Sequence, residues 1–421
     1  MTSAASRRVV VTGLGAVTPL GADLPATWER LVAGESGIRP IASFDASRLA
    51  CRIAGEALDA DPSRVLDRKA LRRTDRATQL SLLATREALA DAGLPERLEG
   101  PLADATGAFV GTGFGGAATI FDEIRTYVER GPDRLSPFFV PMAIANMTAG
   151  QIGLVLGARG PSMATISACA SGAHAIGEAA ETIRRGDAEV MLAGGTEATV
   201  LEGIVGAFSA MKALSTRNDD PAGASRPFDR GRDGFVIAEG AATLVLEGLD
   251  HARARGARIL AELAGYGASA DAYHATLPAP GASGAVRAAR RAFAKAGLEP
   301  RDVDFVSAHA TSTPEGDRAE LGGLRELLGD RADRVPITAT KSAIGHTLGA
   351  AGAIGAAVSV RSLVEGCVPP TLNLDDPDAE AAGMDVVRGA ARRGTFDVAL
   401  VNAFGFGGQN SVLLLRRWVD A

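Results

Sequence analysis

The chain is poor in cysteine and in aromatic rings: three Cys, two Trp and three Tyr stand among 421 residues, and aromatics total 5%. Cys51, Cys169 and Cys367 are scattered, with no CxxC pair and no Cys/His cluster, which excludes a disulfide framework and a metal site of the usual ligand spacing. Such thiols fit a reducing, cytoplasmic compartment. With few rings available, the core has to be packed from small aliphatic side chains. No apolar run approaches 18 uninterrupted residues, and the stretch after Arg7 and Arg8 is broken by Thr12, Gly13 and Pro19, so neither a signal peptide nor a membrane span is expected. Basic excess is missing as well. The 44 basic and 50 acidic side chains leave −6, which argues against a nucleic-acid binder and against general attraction to anionic membranes.

Glycine is what the chain has in abundance: 51 of 421 residues, against a usual share of about 7%. It follows no short period, so it marks tight turns and close backbone approaches. A longer period is present. Five β-type runs at 9–12, 108–110, 164–166, 189–192 and 243–246 are followed by five more at 259–263, 305–307, 336–338, 398–401 and 411–415. Helical patterns at 79–92 and 283–297 separate several of them, the signature of a buried sheet covered by helices. We read one α/β unit copied twice, over 1–255 and 256–421. The third strand of each copy leads into an Ala/Gly-rich helix, 171–184 and 348–364, with little bulk on any face, so both helices are expected between sheets. A polar stretch at 215–234 is too long for a plain connection and is expected to be functional or pinned by ion pairs. A second long loop, 267–284, carries Asp271, His274 and Thr276.

Gly111-Thr112-Gly113-Phe114-Gly115-Gly116 fits GxGxxG after a strand, but it lies outside the first βαβ unit, and in a chain so rich in glycine it reads as a chance match. Cys169 is placed differently, between a strand and the start of a small-residue helix. There, free N–H groups and the positive helix end are expected to lower its pKa and to support an oxyanion on an attacked thioester. By position alone it reads equally well as a small buried residue. Cys51 and Cys367 read as structural. His309 and His346 each stand just beyond a strand of the second copy, and either one alone could be a satisfied interior histidine. His174 reads as packing and His251 as solvated.

Nine segments in order carry a family resemblance over essentially the whole chain: VTGLGAVTPLG at 11–21, SPFFVPM at 136–142, SACASGAHAIG at 167–177, ALSTRNDDP at 213–221, SRPFDRGRDGFV at 225–236, ATSTPEGD at 310–317, KSAIGH at 341–346, VPPTLNL at 368–374 and FGFGG at 404–408. The sequence resembles the thiolase-fold condensing enzymes of the beta-ketoacyl-acyl-carrier-protein synthase II (3-oxoacyl-ACP synthase II) family. That resemblance implies two duplicated βαβαβαββ halves in an αβαβα layered sandwich, and decarboxylative Claisen condensation in a cytoplasmic enzyme without metal or organic cofactor, its substrates carried on the phosphopantetheine of an acyl carrier protein. It implies Cys169 as the acylated nucleophile, His309 and His346 as hydrogen-bond donors to the malonyl thioester, and Lys341 as their support. Cys169 and Phe406 match the oxyanion hole, Phe406 the gate, and Thr311 and Thr313 the pantetheine-binding threonines. Phe114 and Phe139 match acyl-pocket residues, Phe139 reaching the neighbouring subunit of a homodimer. The runner-up is a type II polyketide or polyene ketosynthase paired with a chain-length-factor subunit.

Lys69, Arg72 and Arg73, with Lys212, match basic residues that dock the carrier, which reconciles net acidity with an acidic partner; on charge pattern alone the stretch is also an ordinary solvated helix face. Three departures stand out. Ala310 occurs where relatives have Gly, Gly355 where they have a Glu that partners the site lysine, and Gln409 where they have Thr or His. They leave the orientation of Lys341 unassigned and shift weight towards a specialised pathway. A ring at Phe114, where relatives commonly have Ile, implies short or unusually shaped acyl chains. A degradative thiolase is disfavoured because FGFGG has no second cysteine, and a silent chain-length partner because Cys169 and both histidines are present.

Overall fold

In the computed structural model, which describes residues 7–420, all ten predicted runs pair into one mixed sheet. The first five strands are β1 (Val9–Val17), β2 (Thr106–Gly111), β3 (Ser162–Thr165), β4 (Val190–Glu197) and β5 (Gly240–Gly248). The second five are β6 (Ala261–Ala270), β7 (Phe305–Ser307), β8 (Ile337–Thr338), β9 (Val398–Gly405) and β10 (Gln409–Arg417). Their spatial order is β8-β7-β9-β10-β6-β1-β5-β4-β2-β3. Each half therefore repeats the order third, second, fourth, fifth, first, parallel among its second, third and fourth strands and antiparallel elsewhere. The halves meet where β1 pairs antiparallel with β6 through Val10–Glu262 and Val11–Ala261.

Helices cover both faces. α1 (Arg76–Asp91) packs on β1 and β5, and α2 (Ala117–Arg130) and α3 (Met147–Leu156) follow β2. Between the halves lie α4 (Ser171–Arg185) and α7 (Ala351–Glu365), each touching strands of both copies and each other. On the far side, α5 (Ser283–Ala296) packs on β6 and β10, with α6 (Pro314–Leu328) against it. With the one sheet contributing a five-stranded half to each β layer, the layering is helix, half-sheet, helix, half-sheet, helix, and both Ala/Gly-rich helices occupy the middle layer as expected. One helical stretch, Leu348–Glu365, is apolar and long enough to cross a membrane on composition alone, but 83% of it is buried inside the protein.

Glycine sets these layer spacings. A Cβ on Gly13 or Gly15 of β1 would collide with carbonyls of α1, and one on Gly265 or Gly267 of β6 would collide with carbonyls of α5. In the middle layer a Cβ on Gly172 would lie 3.0 Å from that of Ala353, and one on Gly352 would lie 2.8 Å from that of Ala173. The two central helices can cross this closely only because neither carries bulk at the contact.

The polar stretch 215–234 is pinned, as expected, by ion pairs. Arg226 bonds Asp229 and Asp375, and buried Arg232 bonds Asp317 and Asp378. Burial pushes the Asp317 carboxyl up to about 7, while N–H groups of Phe228 and Ser312 and the Arg232 charge oppose that rise. His251 corrects the sequence reading: it is not a solvated side chain but is half-buried, its Nδ1 2.6 Å from the buried Glu247 carboxylate. That carboxylate belongs to the preceding buried strand, and its burial is not visible in a locally polar sequence. Cys51 and Cys367 are buried free thiols.

Candidate active site

Cys169 stands in the turn between β3 and α4. Ala168 just before it takes a left-handed conformation, φ 49°, which L-residues rarely adopt and which here aims the next side chain across the sheet end. The turn is held from inside: Ser171 Oγ accepts from the Ser167 N–H at 2.8 Å and donates to the Ala168 carbonyl at 2.7 Å. Backbone N–H groups of Cys169 and Phe406 face the thiol and favour its charged form. The expected low pKa is not found. Burial is the largest effect and pushes the thiol up to about 12, while the Lys341 charge and the two N–H groups pull the other way. At rest the thiol is neutral, with N–H groups and a cation around it that favour negative charge.

His309 and His346 meet edge to face, ring centroids 5.6 Å apart. Burial, the Lys341 cation and, for His309, its partner ring hold them well below the usual histidine range, so both imidazoles are neutral. Their Nδ1 atoms are buried without a hydrogen-bond partner. A buried orphan N–H is costlier than a buried orphan lone pair, so the proton belongs on Nε2 of each ring. Rings rather than hydrogen bonds orient them: Phe235 lies 5.3 Å from His346 and Phe404 5.4 Å from His309.

Lys341 is fully buried and donates to the His309 carbonyl. Burial lowers it to about 8, with Glu320 the leading opposing charge. Glu320, on α6, accepts from the N–H groups of His309 and Ala310 and from Asn402 Nδ2 at 2.8, 2.7 and 2.9 Å. It supplies the negative charge beside Lys341, and sequence reasoning missed it. Ala310 itself has φ 35°, so its Cβ sits on left-handed backbone.

One cavity of about 740 Å³ joins these groups. Its lining includes Cys169, His309, His346, Thr311, Thr313, Phe114 and Phe406, all expected at the site, and Lys212 at its edge. Thr311 and Thr313 hydroxyls lie 3.0 Å apart. Sequence reasoning missed Phe208 and Phe235, which extend the rings from His346 to Phe114 at centroid spacings of 5.3 and 6.4 Å. Phe406 is 36% exposed in the β9–β10 turn, which is tied to loop 267–284 by bonds from Gly407 N to Ala275 O and from Asp271 N to Gly408 O. Four residues lie elsewhere. Phe139, half-buried in the short helix Phe139–Ala143, does not line the cavity of its own chain. Lys69, Arg72 and Arg73 do not line it either; they are exposed at the helix Arg68–Leu71, make no salt bridge among the described residues, and Arg73 stacks over Phe138 at 4.1 Å. Nearby Arg76 is not free, being paired with Glu239 at 2.6 Å. Among the described residues no group of three or more His, Cys, Asp or Glu could hold a metal ion.

Known proteins align with this arrangement along its length. The family described as beta-ketoacyl synthase, N-terminal domain, matches residues 6–252, and beta-ketoacyl synthase, C-terminal domain, matches residues 260–375. A 3-oxoacyl-[acyl-carrier-protein] synthase 2 from Synechocystis sp. is 45% identical over 418 residues, 99% of this chain and 100% of the relative. The ishigamide ketosynthase/chain length factor structure superposes with TM-score 0.91 at 34% identity, covering 99% of this chain and 100% of its own. A type II PKS ketosynthase in complex with its acyl-carrier protein superposes with TM-score 0.88 at 32% identity, covering 99% of this chain and 100% of its own.

Proposed function

The chain belongs to the beta-ketoacyl synthase family, and from that premise we propose how its own residues divide the reaction. It is a 3-oxoacyl-ACP synthase, a condensing acyltransferase. The observation that carries the assignment of roles is the single cavity into which Cys169, from one half, and His309 and His346, from the other, all project.

The Cys169 thiol attacks the acyl thioester of a carrier; the acyl–sulfur bond to pantetheine breaks, and the thiol proton leaves with the carrier sulfur. Malonyl-carrier then enters past Thr311 and Thr313. As CO₂ departs, negative charge gathers on the malonyl thioester oxygen, where the two Nε2–H donors are aimed. The resulting carbanion attacks the acyl-Cys169 carbonyl. The N–H groups of Cys169 and Phe406 stabilise the tetrahedral oxyanion, which collapses with cleavage of the acyl–Cys169 bond to 3-oxoacyl-carrier and a Cys169 thiolate that takes a proton from water. Burial, with Lys341, keeps both histidines neutral and able to donate from Nε2. No metal or organic cofactor takes part. Residues 1–255 thus carry the nucleophile and 256–421 the donors.

The carrier docks on Lys69, Arg72, Arg73 and Lys212, the first three exposed and without salt bridges. A second copy of the chain packs on the β3 edge, where Met163, Leu154, Ile124, Tyr127 and Val128 are exposed, and receives Phe139. A chain-length-factor partner is the second reading. It is favoured by the likeness to the ketosynthase/chain length factor structure, but that likeness is at 34% identity against 45% for the Synechocystis relative. The three unpaired thiols support a cytoplasmic location. Phe114, edge to face with Phe208, shortens the acyl pocket.

Intact-mass measurement after incubation with acyl-carriers of graded length should find an adduct on Cys169, longest-lived for short chains, and elongation with malonyl-carrier should proceed without a second gene product. Absence of any adduct would overturn the assignment, and activity only with a partner chain would establish the second reading. Reversing Lys69, Arg72 and Arg73 to Glu should raise KM for acyl-carrier while leaving small acyl thioesters unaffected.

A further inference from the structure

Glu197 ends β4, is fully buried, and makes no ion pair among the described residues. Burial pushes its carboxyl up to about 7 against four hydrogen bonds that favour the ionised form. Such a group is retained only where its bonds hold something in place.

Those bonds reach two segments far apart in the chain. Oε2 accepts from the N–H of Gly113 at 2.7 Å and of Gly349 at 2.9 Å; Oε1 accepts from the N–H of Phe114 and the hydroxyl of Thr112, each at 3.2 Å. Gly113 and Phe114 form the wall of the acyl pocket. Gly349 lies three residues after His346, in a turn where Leu348 has φ 42°. Gly113 and Gly349 both lack the Cβ that would stand 2.7 Å from Oε2. Thus one carboxylate bridges the N-terminal half's pocket wall and the C-terminal half's histidine turn. The ring series Phe114, Phe208, Phe235, His346 spans the same two points independently.

We propose that Glu197 is a positioning residue that couples the acyl-pocket wall to the turn bearing His346, so that the acyl chain occupying the pocket sets how well the histidine is placed for condensation. Displacement of Phe114 by a bound chain moves two of the four donors, and the carboxylate passes that movement to Gly349. The inference rests on the roles given above to Cys169 and His346.

Glu197→Gln keeps the size but faces an NH₂ towards two donors whichever way the amide turns. Gly349→Ala breaks the bridge from its other end by wedging a methyl against Oε2, and serves if the first variant does not fold. In both, acyl transfer to Cys169, read by intact mass, should stay within about threefold of the parent. Condensation should fall about tenfold or more, as misplacement of a reacting group does, and its dependence on chain length over a graded acyl-carrier panel should flatten. Equal losses of acyl transfer and condensation at every length would reduce Glu197 to a structural residue, and unchanged condensation would also overturn the proposal. Failure of the parent itself to form acyl-Cys169 would instead sink the functional reading beneath it.

Discussion

The turn after the second strand of the N-terminal half, residues 111–116, offers glycine backbone and the Phe114 ring, whereas its counterpart after β7 offers His309, Thr311 and Thr313. The turns after the third strands differ in the same way, one carrying Cys169 and the other Lys341 and His346. After the fourth strands the contrast is in length: 42 residues separate Glu197 from Gly240, but β9 and β10 are joined by the tight Gly405–Gln409 turn that presents Phe406. The two halves share strand order, middle-layer helices and glycine spacing. What diverged is the chemistry of three pairs of turns at one end of the sheet, and a complete site exists only where both sets face each other.

The sharpest way to break that comparison is to disable one half at a time. Cys169→Ala should remove the acyl adduct and lower condensation by about 10³-fold or more. His309→Ala or His346→Ala should leave the adduct intact while slowing condensation by about 10²–10⁴-fold; loss of the adduct in a histidine variant would show that the division is wrong.

A smaller effect separates the charge network from the rings. Lys341, lowered to about 8 by burial, is a cation below that pH and neutral above it. That cation favours negative charge beside it, as its pull on the Cys169 thiol shows, and condensation builds an oxyanion there, so condensation should decline as pH rises through about 8, by up to about tenfold per pH unit. Lys341→Met should abolish that alkaline limb, and a pH–rate profile unchanged by the substitution would detach Lys341 from the reaction.

The smallest effect lies in the backbone of the second half. Ala310 at φ 35° carries strain that glycine would not, so Ala310→Gly should stabilise the fold by about 1 kcal/mol. A denaturant midpoint that fails to rise would mean that the turn relaxes around the methyl.

Strand identity was legible because most of these strands centre on short apolar runs; β1 and β5 are buried at every position, and such runs announce themselves without periodicity. Cys169, His309 and His346 were legible because each stands at a strand end in a recognisable segment. The partners that tune them were not. Glu320 reaches the Lys341 site from α6, Glu197 reaches Gly349 across the boundary between halves, and neither contact leaves a local pattern. The direction of the Cys169 pKa was misread for the same reason: a helix start is visible in sequence, whereas the depth at which that start is buried depends on α7 and the β9–β10 turn.

The crossing of α4 and α7 has a form that ordinary packing of unlike helices does not. Gly172 faces Ala353 while Gly352 faces Ala173, so the contact reads the same in either direction. Reciprocal contact of this kind is the mark of an isologous interface, the type that joins identical subunits about a two-fold axis. The chain is in that sense a dimer of half-proteins tied end to end, in which joining the copies freed each to specialise: one kept the thiol, the other the imidazoles, a division of labour that no symmetric pair of identical halves could make.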